Sequence, residues 1–400
     1  NSTSSGTLDL EDSGSNPVLT IDAANPGAWS DDLDVAVDVA SGNFVVKVYY
    51  QDALVYTTNS VASASAAASE INNSAVAALY VSATATAGSA VVDTAAATPL
   101  VGGAEGSAYT DSEWVAELEK FDLSTGAGAV AIPGQYSQDI YDGLVAHGAE
   151  FNRIAILGVD PTNDSAEEVV AAAATTREID NAECAAFYYP RVRIPGQGGV
   201  TLTIPPDGYV AAKRSVAHNT VGSWQAGAGV ISLANFVTGT ETSVDAAFGQ
   251  ELDDNGVNAI RVIQGGVRIY GARSASSDVE NFRYITAKDT LNYVAAQAGI
   301  LMEDLVFSPI DGRRSVFGRV EARLIAVLEP MRSAGGLFEG FTNDGRQIDP
   351  GYSVEVSDAI NPVTQLAEGI VRAKVGIRVS STGDQIIIDI IKSNLTSSVV

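Results

Sequence analysis

The sequence predicts a multidomain chain, all-β at its start, then α/β, then α+β. Three patterns carry that expectation. Residues 33–50 alternate apolar and polar side chains across a turn, the period of a half-buried hairpin. Residues 130–189 alternate short aliphatic runs with helical stretches, the order that builds a parallel sheet with right-handed crossovers. Residues 291–331 carry two apolar stripes spaced at three and four, one for each of two helices.

In chain order, Leu19-Thr20-Ile21 precedes the turn-forming Asn25-Pro26-Gly27-Ala28-Trp29. Leu33, Val35, Val37 and Val39 alternate with Asp34, Ala36, Asp38 and Ala40; Gly42-Asn43 turns the chain and Phe44–Tyr50 returns. Residues 60–104 are rich in Ala, Ser, Thr and Val and read either as linker or as short strands at Leu79–Thr84 and Ser89–Asp93. The stretch 7–104 is thus expected to be all-β, a β-sandwich. From Thr110 the period changes. Asp111-Ser112-Glu113 opens a helix through Glu119, with carboxylates at the positive end of its dipole. Val130–Gly134, Ile154–Val159 and Ala185–Tyr189 read as buried strands, with helices at Ser137–Gly148 and Ser165–Thr176 between them.

Further on, Ala259–Gln264 and Val267–Tyr270 form a strand pair about Gly265-Gly266. The first striped helix presents Leu291, Val294, Ala295, Ala298, Leu301 and Leu305; the second presents Val316, Val320, Leu324, Val327, Leu328 and Met331. Gly351–Ser357 is a strand. Val371, Ala373, Val375, Ile377 and Val379 alternate with Arg372, Lys374, Gly376 and Arg378, giving a strand with one apolar and one basic face. Ile386-Ile387-Ile388-Asp389-Ile390-Ile391 is aliphatic on both faces and wants cover on both.

Composition narrows the function. Four hundred residues suffice for two or three domains. The net charge is −26, and residues 1–150 hold most of it, with twenty acids against Lys47 and Lys120. Such a surface repels phosphate, which excludes a nucleic-acid partner, and it keeps an exposed domain soluble. Life at high salt is the other reading of this acidity. Cys184 is the sole cysteine, so no intrachain disulfide or cysteine zinc site forms; beside Ala185, Ala186 and Phe187 it reads as a buried, inert thiol. No apolar run reaches membrane-spanning length. The opening Asn-Ser-Thr-Ser-Ser-Gly reads as an internal linker, with upstream residues expected outside this numbering.

No catalytic, cofactor or metal site is expected. A serine hydrolase needs Ser, His and Asp in mutual reach. His147 and His218 are the only histidines, and no serine in a nucleophile-turn context follows His218. The glycines about Gly265-Gly266 fail the dinucleotide spacing, and no phosphate-binding loop occurs. The acidic groups at Asp31-Asp32-Asp34 and Asp253-Asp254 lack EF-hand spacing and read as solvated turns.

Two stretches point to assembly. Arg313, Arg314, Arg319 and Arg323 oppose the apolar stripe of the second helix, either as a solvated face or as a contact for an acidic partner. Burying Ile386, Ile387, Ile388, Ile390, Ile391 and Leu395 contributes about 10 kcal/mol, and ordering about ten residues costs a similar amount. The segment therefore gains little on its own body and more as a strand added to a neighbour's sheet edge. Gly335-Gly336 and Thr382-Gly383 are candidate hinges.

Several short words recur in a meaningful order. They are Asn25–Trp29, Val101–Gly106, Ile204–Ala212, Val221–Gly229, Gly256-Val257-Asn258, Tyr270-Gly271-Ala272-Arg273, Arg283-Tyr284-Ile285 and Gly335-Gly336-Leu337-Phe338-Glu339-Gly340. Together they resemble the contractile tail sheath proteins of phages and of phage-like injection machines. Ala212 stands where that family has glycine, and Gly227 where it has proline. The resemblance implies an outer β-sandwich-like domain at 1–106 and a subtilisin-like α/β domain without a catalytic triad at 107–278. It implies an α+β domain facing the tube at 279–382 and a C-terminal arm donated to a neighbour at 383–400. It further implies a non-enzymatic subunit, without cofactors, that polymerises as hexameric rings around an inner tail tube. The arginines would face that tube. Baseplate and tail terminator proteins would be the other partners, and the virion tail, assembled in the host cytoplasm, the location. Alternatives are the sheath of an extracellular injection particle or type VI-like secretion system and, from other classes, a secreted α/β hydrolase or a surface-layer protein.

Overall fold

A computed structural model describes residues 3–196 and 199–384, which divide into two units, Asn1–Tyr109 and Thr110–Val400.

In the first unit, β1 (Thr7–Glu11), β2 (Pro17–Ala23), β3 (Leu33–Ala40), β4 (Asn43–Tyr50) and β5 (Ala53–Thr57) precede α1 (Ala64–Asn73), β6 (Val81–Ala85) and β7 (Ala95–Pro99). One sheet has the order β1-β2-β6 and the other β5-β4-β3-β7. The β3–β4 hairpin is closed by Ser41 (φ 53°) and Gly42 (φ 83°), the pair of positive φ values that matches strand twist in a two-residue turn. Leu19 and Ile21 of one sheet and Val35, Val37, Val46 and Val48 of the other bury in one apolar cluster. The all-β expectation needs correction at α1. The alanine-rich stretch is a helix, capped by Ser63, whose hydroxyl accepts from Ala66 N–H, and it buries Ala64, Ala67, Ala68 and Ile71. Alanine is the best helix former, and its small side chain gives no period-two contrast in sequence. Strand β7 accordingly lies at Ala95–Pro99 rather than at Ser89–Asp93.

The second unit opens with α2 (Asp111–Glu117), whose N-cap is Thr110 in a reciprocal capping box with Glu113. Then follow β8 (Gly128–Val130), α3 (Gln138–Phe151), β9 (Arg153–Gly158), α4 (Ala166–Arg177), β10 (Ala185–Tyr189), β11 (Val192–Pro195), β12 (Thr201–Ile204), α5 (Asp207–Thr220), β13 (Gly239–Thr240), α6 (Ala246–Asp254), β14 (Val257–Ile263) and β15 (Gly266–Tyr270). The main sheet has the order β15-β14-β10-β9-β8; it is parallel except for β15. The period of two sorts each strand to both faces. Ala155, Leu157, Phe187 and Val257 pack with α3, α4 and α6; Ile154, Ile156, Tyr188 and Ile260 pack with α5. Both faces are covered, which is why these strands read as unbroken aliphatic runs.

Two long helices follow, α7 (Ile285–Met302) and α8 (Ser315–Ser333), then β16 (Gly340–Phe341), β17 (Gln347–Asp349), β18 (Tyr352–Glu355), α9 (Val363–Ala367) and β19 (Lys374–Ile377). All six stripe residues of α8 are buried. The stripe expected on α7 holds only in part: Val294 is buried, but Leu291 is exposed, and the helix's first half buries Thr286, Asp289, Thr290 and Asn292 instead. Among the described residues, strands β18 and β19 pair only with each other, and they rest on α8 through Val354 and Val375.

Candidate assembly site

Asn258 organises one corner of the second unit. It lies in β14 with its side chain fully buried. Its Nδ2 donates to Phe187 O and Arg273 O, both at 2.9 Å, and its Oδ1 accepts from Arg273 N–H at 2.6 Å. The amide thereby ties the 270–273 turn to the sheet. Gly271 is required there, because a Cβ would stand 2.7 Å from Asn258 Oδ1.

The turn aims Arg273 into a polar knot. Its Nε donates to Asp253 Oδ1 at 2.8 Å, and its Nη2 donates to Asp253 Oδ2 and, at 3.0 Å, to Asp384 Oδ2. The guanidinium lies 5.1 Å from the ring centroid of Tyr284, a cation–π distance. The Tyr284 hydroxyl donates to the same Asp384 oxygen at 2.7 Å, and Thr382 and Thr286 share a hydroxyl hydrogen bond of 3.1 Å. Backbone bonds from Ser274 N–H to Arg283 O and from Ile285 N–H to Ala272 O close the corner. Three of the sequence words therefore meet in space, and they grip the chain at Asp384. Burial pushes the Asp384 carboxyl up, but Tyr284 and Arg273 outweigh it and hold it below the usual carboxylate range. Replacing Arg273 by Met leaves Asp253 and Asp384 without their shared cation. The expected loss is about 2–3 kcal/mol of second-unit stability, measured by urea unfolding.

The glycine-rich word lies on the same path. Gly335 (φ +80°) ends α8 in the left-handed conformation. Gly336 presses on Trp224, whose ring stands 2.4 Å from where a Cβ would be. Phe338 N–H donates to Arg378 O, and Ser380 N–H to Gly336 O, so this segment runs beside the chain leading to Gly383. Around Gly383 nothing crowds the Cβ position. The proposed strand Ile386–Ile391 lies outside the described residues.

The four arginines are not equivalent. Arg314, at φ 59°, pairs with Asp358 at 2.6 Å, and Arg323 pairs with Asp304. Arg313 and Arg319 are exposed and make no salt bridge among the described residues.

The histidines and the cysteine sit in structural surroundings. His147 is buried against Arg153, 2.7 Å from its Nη1, and burial together with that cation lowers its pKa. Cys184 is fully buried, which raises its thiol pKa. His218 on α5 comes within 3.3 Å of Asp289, which also binds Arg214 of the same helix. Sequence reasoning missed this buried pair, because its members lie 75 positions apart.

Asp207, at the start of α5, is buried with Oδ2 unpartnered, and desolvation raises its pKa to about 6. An unfolded chain ionises this group near 3.8, so its burial costs stability progressively as pH rises from about 4 to 6, and fully above that. Asp207→Asn is expected to raise stability at pH 7.5 by about 2–3 kcal/mol and to flatten this part of the pH profile, as read by thermal unfolding.

Comparison with protein-family models finds no match, and comparison with curated proteins finds none. Solved structures do match. The helical sheath of the anti-feeding prophage in its contracted state aligns with 73% of this chain and 77% of its own, at 18% identity and a TM-score of 0.56. The chain has the fold of a contractile sheath protein. A sheath tail protein from Desulfitobacterium hafniense aligns over 89% of this chain and 76% of its own, at 14% identity and a TM-score of 0.55. The contracted PVC sheath complex of an extracellular contractile injection system aligns over 66% and 70%, at 22% identity and 0.52.

Proposed function

We propose that the chain is a structural subunit of a contractile sheath. It polymerises as helical rings around an inner tube and contracts to drive that tube through a target envelope. The observation that carries this reading is the sheath fold combined with an unfinished sheet. Strands β18 and β19 form a two-stranded ribbon with no third strand among the described residues. Such a ribbon is marginal alone, and its open edge is a template for another strand. Asp384, the last described residue, is held by Arg273 and Tyr284, and the aliphatic residues 386–391 follow it in sequence. In this reading they add to the sheet of a sister subunit, in hexameric rings.

The work of contraction comes from the lattice. The extended polymer is a kinetically trapped state and the contracted one lies lower in free energy. Strand linkers at Gly335, Gly336 and Gly383 keep rigid bodies tied together while they rotate. Baseplate and terminator proteins close the two ends, and the tail is assembled in the host cytoplasm. The 279–382 region faces the tube, and Arg313 and Arg319, exposed and in no salt bridge among the described residues, supply positive charge to that contact. A second reading has the same support: one fold match is the sheath complex of an extracellular contractile injection system, so the particle is a phage tail or an injection device.

Negative-stain images of the purified chain incubated with tube protein test the proposal. Hollow striated tubes of two lengths are expected. Monodisperse particles under all conditions, together with turnover of ester or peptide substrates, would replace it with the hydrolase reading.

A further inference from the structure

Two like charges face each other at one edge of the main sheet. In the β14–β15 hairpin Arg261 stands directly opposite Arg268, and β15 has no further strand on its outer side among the described residues. Like charges in that position repel. Neither arginine is in a salt bridge among the described residues. Arg261 Nε donates to Val244 O at 3.2 Å, and its guanidinium lies 5.3 Å from the ring centroid of Tyr270. Arg268 Nη2 reaches Gln264 Oε1 at 3.4 Å, and its Nε is buried without a partner. On α6, which packs on β14, Asp253 is taken by Arg273 and Asp254 by Gln250, and Glu251 is exposed. Residues 255–277 hold three arginines and no acidic side chain. Tyr270 lies on the same face of the hairpin as the arginine pair and is exposed.

The opposite edge of that sheet carries the reverse charge. Residues 111–125 lead into β8, the far edge strand, with five acids and one lysine. Glu117 shares Lys120, and Glu119 is exposed and in no salt bridge among the described residues. Phe121 and Leu123, next in the chain, are exposed as well. Their loop is held firmly. The buried Arg153 guanidinium donates to the carbonyls of Phe121, Asp122 and Gly126. Two apolar side chains are thus fixed in water, where a lone subunit gains nothing from them.

The two edges stand about 19 Å apart, four strand spacings of about 4.8 Å, so they complement each other between copies and not within one. A contact between unlike faces of identical subunits is heterologous, and its repetition closes a ring or winds a helix. We propose that the Arg261–Arg268 edge of one subunit receives the acidic 117–123 segment of a second copy. Glu117 and Glu119 meet the arginine pair, and Phe121 and Leu123 leave water at the same contact. This rests on the sheath reading and adds a contact between bodies to the strand addition at β18–β19.

The test follows polymerisation of the full chain by sedimentation over a range of concentrations, with the Tm of each variant showing that its subunit is folded. Arg268→Gln keeps or raises the Tm, because it removes half of the like-charge pair, yet raises the concentration needed to polymerise at least about tenfold. Arg261→Glu combined with Arg268→Glu gives the same loss or a larger one. Glu117→Arg combined with Glu119→Arg gives it too. Joining all four substitutions in one chain reverses both faces and returns that concentration to within about threefold of the unaltered chain, a rescue that a merely structural role does not produce. Unchanged polymerisation of the Arg268→Gln and Arg261→Glu/Arg268→Glu chains overturns the contact. A folded four-substitution chain that recovers nothing also overturns it, by placing the acidic partner elsewhere. An unaltered chain that polymerises at no concentration would instead overturn the sheath reading beneath it.

Discussion

Cut after Asp384, the chain remains a folded, soluble subunit that no longer polymerises. The cut spares every contact that grips the end of the described body: Arg273 and Tyr284 on Asp384, and Thr286 on Thr382. Unit stability is therefore expected to stay within about 0.5 kcal/mol of the full chain, the range of surface changes that break no named feature. Assembly should fall from polymer to monomer, because each β18–β19 ribbon then lacks the strand that would complete it. Sedimentation velocity separates the two outcomes. Polymers of normal length from the truncated chain would contradict the expectation.

Asp289→Ala is expected to be the most damaging single substitution inside the second unit, at about 3–5 kcal/mol. Asp289 is almost wholly buried, and it is the partner of Arg214, itself nearly buried, and the neighbour of His218. Its removal strands the guanidinium in the interior. The pH dependence identifies the mechanism. Burial pushes the Asp289 carboxyl up, but Arg214 and His218 pull harder, and the net result is a pKa below 3.8. A depressed carboxylate contributes stability that is whole above its unfolded pKa and is lost as pH falls through its folded pKa. The gap between the unaltered chain and Asp289→Ala in urea midpoint should thus be full at pH 5 and narrow below about pH 3.8. A gap independent of pH would mean that packing, not charge, holds α5 to α7. Asp207 works in the opposite sense over pH 4 to 6, so the two variants give distinguishable profiles.

Features encoded within a few neighbouring residues were legible in the sequence. Strand β10 falls at Ala185–Tyr189 as its apolar and aromatic run predicts, and the stripe of α8 is buried at Val316, Val320, Leu324, Val327, Leu328 and Met331. Ser165 with Glu168 marks the start of α4 by a capping box. What escaped depends on distant partners or on weak contrast. Asp289 reads as a polar residue on an exposed helix face until Arg214, 75 positions earlier, is seen beside it. Helix α1 was hidden by alanine, and α5 by Pro205-Pro206 and Gly208 at its start, which signal a turn. Of the candidate site, the arginines and glycines were visible as residue types. That Asn258, Arg273, Tyr284 and Asp384 form one knot was not, since they span three words and the chain's last described residue. Phe307, fully exposed, runs against pattern altogether, because hydrophobicity predicts it inside.

The central claim is that a second molecule supplies the missing strand of each subunit's ribbon. An electron cryo-microscopy map of the assembled polymer, at a resolution that traces side chains, tests it most directly. The account predicts Ile386–Ile391 hydrogen-bonded along the β18–β19 ribbon of a neighbouring subunit. A map that places those residues on their own subunit, with both ribbon edges unoccupied by any neighbour, would contradict it.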